Sequence, residues 1–515
     1  MSERSERLFE ALSELDEQKI DEAAPVEGKK RVRWKRWAAL AAALAVVIGT
    51  GSYFLPRLGV GGSAGNGGLG GSGTDGATTF MSYAGPVMPL TLREENGDIT
   101  AERDITLDFA PWGEQEVDGV RSFETNIRVT DSYVLTNASG REQTVSVLYP
   151  FAGDLNSRGT LCPSLTLDGQ PVEAALHPGR YSGGPYGLWA AWREGPWEVN
   201  LTQAENWEAY REVLADGAYQ AAALEDFPDL SSVPVVVYDF TDPWGPQPDD
   251  GLDPTIRAAF TLPSGRSSVL TSGFHGMTWD HDTGRMIQSF TIPRENRKDP
   301  QETFRLVVLG EDIQNLDVRA YDTAGYEGGS VIESAGVTVT RSESDLESVF
   351  LEIMERRYDR YAEGNEEGFA LYFALMKDQL VNYYGILDDD PAVRYANGCI
   401  PVSELNADRV TRVFYLETEV AIPAGGSVTL TAEMVKEASC DHVCSDRRNR
   451  DIYGYDLTTR LGSNLTFTRQ RAALEDRGAV EIVRQNFGFD PRRGVKTVEL
   501  DPAQEHYYLE VRRRR

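Results

Sequence analysis

Five histidines, four cysteines and a few clustered carboxylates bound the chemistry that this 515-residue chain could do. The densest polar constellation is "GFHGMTWDHDTG", which gathers His275, Asp280, His281 and Asp282. Imidazole and carboxylate side by side could hold a divalent metal or shuttle a proton. The glycines at 273, 276 and 284 also mark a turn-bounded loop, in which Asp and His commonly cap backbone groups. A second group is Cys440-Asp-His442-Val-Cys444 together with Cys399, whose spacing a Cys₃His zinc site could use. Outside the cell the same residues could form a disulfide, with Cys399, Cys440 and Cys444 as its candidates and Cys162 as the fourth thiol, or could remain free thiols. The acidic loop "TDPWGPQPDDGLDP" carries Asp242, Asp249, Asp250 and Asp253 but lacks the D-x-[DN]-x-[DN]-G order of a calcium loop. There is no H-E-x-x-H and no G-x-x-x-x-G-K-[ST]. No residue is assigned as catalytic, and no cofactor is expected.

Two further motifs fall inside "GVGGSAGNGGLGGSGTDG", residues 59–76. Gly61-x-Ser63-x-Gly65 has the form of a hydrolase nucleophile elbow, and Gly68-x-Gly70-x-x-Gly73 that of a dinucleotide loop. Both need a buried strand before and a helix after, so that the turn is held in place. This stretch holds almost nothing but Gly, Ser, Ala, Asn and Thr. Its composition is that of a flexible coil, with a root-mean-square span of about 25 Å for this length. It reads as a tether.

The tether follows nineteen residues without a charge, 38–56, close to the ~20 needed to cross a hydrocarbon core. Lys29, Lys30, Arg31, Arg33, Lys35 and Arg36 stand directly before that run, and only Arg57 stands between it and the glycines. The positive-inside rule then places residues 1–36 in the cytoplasm and the large C-terminal part outside. The expected organisation is a leader (1–36), a transmembrane signal anchor (37–57), a linker (58–77) and an extracellular remainder. The formal net charge is −30, and the first 57 residues are nearly balanced, so the acidity lies outside. Such a surface disfavours nucleic acid. The membrane is the expected partner, together with an unknown extracellular ligand.

In the leader, Leu8, Phe9, Leu12 and Leu15 fall on one face at helical spacing, an amphipathic pattern that could engage a cytoplasmic protein. This "LFEAL…LDE" helix, the Lys/Arg/Trp cluster and "WAALAAALAVVIG" together resemble the start of single-pass exported proteins of anaerobic Gram-positive bacteria. Some of these are similar to membrane-bound anti-sigma factors, and the resemblance implies a transmembrane regulator as an alternative function. The zinc ligands of the best-known anti-sigma domains, His and Cys, are absent from this leader.

Beyond the tether the grammar is that of strands. Phe123, Ile127, Val129, Tyr133 and Leu135 alternate with polar residues, "TNASGRE" turns the chain, and Val145, Val147 and Tyr149 alternate again. Val428, Leu430, Ala432 and Met434 repeat the pattern after Pro-Ala-Gly-Gly-Ser. Period-2 alternation around a polar turn predicts hairpins with one buried face. The phrase "YVLTNASG…TVSVLYPF" is similar to sandwich modules of exported proteins of the vault/inter-alpha-trypsin type. Capping boxes at Thr202-x-x-Glu205 and Ser344-x-x-Glu347 open two helical segments, the second with Leu346, Phe350 and Ile353 on one face. "VPVVVYDF" and "TFRLVVLG" read as buried strands. The predicted fold is mostly β, made of β-sandwich modules with helical insertions, preceded by one transmembrane helix. Its expected modules are 78–230, 231–390 and 391–515. The function expected is a binding or structural role at the cell surface. An extracellular hydrolase working through carboxylate pairs, which can be distant in sequence, is a further alternative.

Overall fold

Strands more than 360 positions apart, Ile99–Asp108 and Thr466–Glu475, pair with one another in the computed structural model. It describes residues 76–80, 82–117, 120–155, 162–179, 206–246, 253–263, 265–280, 283–294, 304–323, 328–361, 368–389, 394, 398–407, 409–441 and 449–514. The leader, the apolar run at 37–57 and the linker up to 75 lie outside the described residues. Among the described residues no helix is long and apolar enough to cross a membrane.

A seven-stranded sheet forms the first layer, in the order Thr497–Glu499, Thr466–Glu475, Ile99–Asp108, Ile127–Asn137, Ser427–Lys436, Ser164–Leu167 and Gln170–Pro171. Thr466–Glu475 runs parallel to Ile99–Asp108, and its other neighbours in this sheet are antiparallel. Alternation sets the faces: Ile99, Ala101, Ile105 and Leu107 point inward with Ile127, Val129, Tyr133 and Leu135. Two smaller sheets share that core. One contains Ala175–Pro178, Arg412–Ile422, Gln143–Gly153 and Thr91–Leu92. The other contains Pro86–Val87, Tyr453–Thr458, His506–Arg513 and Val480–Gln485.

The expected hairpins are therefore not hairpins. Ile127–Asn137 lies in the large sheet and Gln143–Gly153 in a small one, so "ASGRE" arches between layers. Arg412–Ile422 and Ser427–Lys436 repeat this arrangement around the Pro-Ala-Gly-Gly turn. Alternation marks a strand with one buried face, but a partner across the core satisfies it as well as one alongside. The module order differs too. Strands of 78–230 and of 391–515 share these sheets, whereas the expectation set them apart as separate modules.

Helix α1 (Trp207–Asp216) and helix α2 (Ala218–Ala223) cover the outer face of the Arg412–Ile422 sheet, where Tyr210, Leu214 and Tyr219 meet Leu148, Val413 and Tyr415. Gly217 divides the predicted single helix by adopting φ +76°, a conformation that disfavours a side chain.

The middle segment builds its own two sheets. Gly336–Asp345, Pro234–Trp244, Phe304–Leu309, Ser268–Ser272 and Cys399–Pro401 form one, and Gly276–Asp280, Arg285–Thr291, Thr255–Thr261 and Gln314–Tyr321 form the other. Every residue of Phe304–Leu309 is buried, because both faces of its sheet are covered. Leu306 and Val308 face Ile256, Phe260 and Phe290 of the second sheet. Val307 and Leu309 face helix α3 (Leu346–Tyr361) and helix α4 (Phe369–Asp378), which continues as a π-turn through Gln379–Tyr383. The cap of α3 is Asp345, the last residue of the preceding strand, and not Ser344: its carboxylate accepts from the Ser348 N–H at 2.8 Å. The box at Thr202 and Glu205 lies outside the described residues.

Candidate functional site

Three polar clusters and one groove belong to the seven-stranded sheet, its two smaller companion sheets and the helices that cover them. The first cluster lies wholly inside the core. Arg103 and Asp131 stand at inward positions of adjacent strands and meet diagonally, Arg103 being opposite Tyr133 and Asp131 opposite Ile105. Arg103 Nε and Nη2 donate to the two carboxylate oxygens of Asp131 at 2.8 and 2.7 Å, and Nη1 donates to the Thr458 carbonyl at 2.7 Å. The Tyr133 hydroxyl donates to Asp131 at 2.7 Å and accepts from the Leu90 N–H, and the Tyr149 hydroxyl donates to Asp131 at 3.3 Å. Burial is the largest influence on Arg103 and alone would lower it, but the charge and hydrogen bonds of Asp131, with Tyr133 and Tyr149, together outweigh it and hold the guanidinium above its ordinary value. Burial pushes both phenols well above theirs, so they remain neutral donors. This is a closed, bidentate pair that pins strands across the core.

A second cluster surrounds Lys436, which alternation turns inward at the end of its strand. Its Nζ donates to the Ala84 carbonyl at 2.6 Å, and burial pushes the amine down to about 8 despite Glu437 and Asp456. Asp456 accepts from the Tyr83 hydroxyl at 2.6 Å and lies 3.1 Å from His506 Nε2. The His506 ring stacks on Trp207 at 3.9 Å. The cavity beside Lys436, lined by Ala84, Val87, Phe151 and Met434, is about 10 Å³. That is room for about one water and for no organic substrate.

The third cluster is half-exposed. Glu417 accepts from Arg93 Nη1 at 2.9 and 3.0 Å and from the Ser146 hydroxyl, and lies 2.7 Å from His177 Nε2. Serine, histidine and carboxylate meet here in the wrong order for nucleophilic catalysis. The carboxylate stands between the other two, where activation of the hydroxyl needs the imidazole.

The groove, of about 440 Å³, runs between the α1–α2 corner and the 460–464 turn. Leu214, Asp216, Gln220, Arg460 and Glu505 line it over a floor at Tyr415. Both of its carboxylates are engaged: Asp216 accepts from the Ala218 N–H at 2.8 Å, and Glu505 pairs with Arg211 at 3.3 Å. A polar rim over an apolar floor suits reversible binding of a small polar molecule.

No protein-family model matches the chain, and no curated protein does. Function must therefore be argued from the molecule itself.

Among the described residues the sequence-based candidates are not brought together. His275 and Asp280 stand at opposite ends of the strand Gly276–Asp280, roughly 16 Å apart at the rise of a strand, too far to share one ion. Asp280 caps the following turn by accepting from the Thr283 N–H, as the loop reading anticipates. His281 and Asp282 lie outside the described residues, as do His442, Cys444, Asp249 and Asp250. Asp253 is held by Arg294 Nε at 2.7 and 2.9 Å. Cys399 is buried in the middle segment beside Gln288 and Met277, whereas Cys440 lies on a strand of the outer layers, and both thiols are free. A disulfide between them, and a zinc site using both, are thereby corrected. Loop spacing in sequence carried no information about which layer each strand joins. Among the described residues no three His, Cys, Asp or Glu side chains converge as a metal site.

Reductant is accordingly expected to leave the unfolding midpoint unchanged. Burial pushes the Cys399 thiol up to about 12, so it should resist alkylation in the native protein and react only on unfolding. Native labelling followed by mass spectrometry checks this. Labelling of Cys399 at the rate of an exposed thiol would contradict its placement.

Sequence reasoning passed over Arg103, Asp131 and Lys436. The signal was present: each is a charge at an inward position of an alternating strand, where burial demands a partner.

Proposed function

We propose that the chain is a single-pass membrane protein whose β-sandwich body works outside the cell, as a binding or load-bearing module and not as an enzyme. The observation that carries this reading is the attachment of the residues next to the glycine-rich stretch. Thr78 gives its N–H and its hydroxyl to the Glu510 carboxylate at 2.5 and 2.8 Å, and Arg484 Nε closes the clamp on Glu510 at 2.6 Å. A body hung from one tether is loaded at that point, and a charge-assisted clamp on a buried carboxylate suits it. The six basic residues before the apolar run and the acidity beyond it support the orientation. The groove at Tyr415 is the place for a small polar ligand.

Protease added to intact cells should remove most of the region beyond residue 76 and spare an N-terminal tag. A tag digested from outside would reverse the orientation. Release of the whole body into the medium without protease would replace the anchor with a cleaved signal.

A further inference from the structure

Residues 76–80 and 82–92 cross both small sheets as a strap, with two-residue pairings at Pro86–Val87 and Thr91–Leu92 and a single bridge at Ser82. Most of the hydrogen bonds that hold its backbone come from side chains of the body. Ser439 Oγ accepts from the Ala84 N–H at 3.0 Å, and Lys436 donates to the Ala84 carbonyl. Tyr133 accepts from the Leu90 N–H, and the Ser463 hydroxyl donates to the Leu90 carbonyl at 2.6 Å. Asn464 brackets Leu92, accepting from its N–H and donating to its carbonyl, each at 2.9 Å. Phe80, Val87, Met88, Leu90 and Leu92 are buried, and Phe80 lies against Gly454, where a Cβ would come within 2.5 Å of its ring. The body thus receives the strap as a groove receives an extended peptide, by its backbone and alternate side chains.

We infer that residues 76–92 form a latch that opens as one unit ahead of the body, beginning at the Thr78–Glu510–Arg484 clamp. Two features carry the inference. The strap has few ladder bonds to the sheets, so its release leaves their long pairings intact. Its fixtures are distributed along its whole length, so partial detachment strands several buried groups at once and favours release as a unit. That tension opens the latch in the cell rests on the tethered reading above. The latch itself does not.

The fold supplies its own lock. Ser82 and Cys440 form an isolated antiparallel bridge, with N–H to carbonyl bonds of 2.9 Å in both directions. Such a pair places its Cα atoms about 5.5 Å apart, within the range a disulfide spans. Cys440 is a free thiol. Ser82→Cys should therefore bond to it on oxidation. Native-state hydrogen exchange of the full chain is the readout. In the wild type the amides of Ala84, Leu90 and Leu92 should exchange together, at least tenfold faster than those of Ile127–Asn137. Oxidised Ser82→Cys should slow the strap amides at least tenfold, leave the sheet unchanged, and revert on reduction. Thr78→Val, which keeps volume but removes a clamp donor, should speed the strap amides several-fold without touching the sheet. Strap amides that exchange as slowly as the sheet, or that ignore both substitutions, would overturn the latch. Failure of the tether alone would show in the protease experiment and leave these results standing.

Discussion

Asp131→Asn should destabilise the outer layers by roughly 3–5 kcal/mol, the cost of leaving a buried guanidinium without its anion. Arg103 and Asp131 are both fully buried, and an amide leaves one acceptor oxygen where Arg103, Tyr133 and Tyr149 share two. Urea unfolding followed by circular dichroism gives the number. The double variant Arg103→Met/Asp131→Leu should recover more than half of the loss, because it removes both charges and their desolvation together. A double variant no better than Asp131→Asn would mean that the phenols and carbonyls, rather than the charge, set the cost. An Asp131→Asn loss under about 1 kcal/mol would place the pair at the surface in solution.

Lys436 governs the largest expected pH effect. Burial lowers its amine from 10.5 to about 8. Below pH 8 the amine is protonated in both states, and the native state carries the full cost of a buried ammonium. Between about 8 and 10.5 the unfolded chain binds a proton that the native chain does not, so stability contributed by this group rises with pH. The full gain is about 3 kcal/mol at 1.36 kcal/mol for each pH unit of the window. Cys440, Tyr453 and Tyr455 titrate nearby with values raised by burial, which works in the opposite direction. They are present in both wild type and Lys436→Met, so the difference between the two isolates the lysine. Wild type should gain on the variant by about 3 kcal/mol from pH 7.5 to 10.5. A flat difference would mean that the amine is solvated.

Much of the outer architecture can be read from alternation alone. Val129, Tyr133, Leu135, Val145, Val147, Tyr149, Leu430 and Ala432 all face the core that their spacing predicts. "TFRLVVLG" and "VPVVVYDF" are buried strands of one sheet. What alternation does not encode is the partner. The burial of Tyr149 is satisfied by Phe414 and Leu416, more than 260 positions away, and nothing local distinguishes that from the hairpin next door. The sites were legible only by type. His275 and Asp280 are five positions apart in sequence, but an extended strand turns that nearness into distance, whereas Lys436, Asp456 and Ala84 meet across hundreds of residues. Clusters built that way leave a trace only as charges at inward positions.

The parallel pairing of Thr466–Glu475 with Ile99–Asp108 has a consequence for synthesis. More than 360 residues separate the partners, so the early strands wait for the last hundred residues before their sheet can close. The middle segment is different. Its sheets and helices are self-contained between Pro234 and Pro401 and can form while the chain is still growing. Chains made in that order carry a folded centre with unpaired strands on the early side. Long-range closure of this kind is slow and leaves strand edges open to neighbouring chains. A chain that stops short of Thr466 therefore loses more than a terminus: Ile99–Asp108 keeps an edge with no partner, and association with other truncated copies is the outcome to look for.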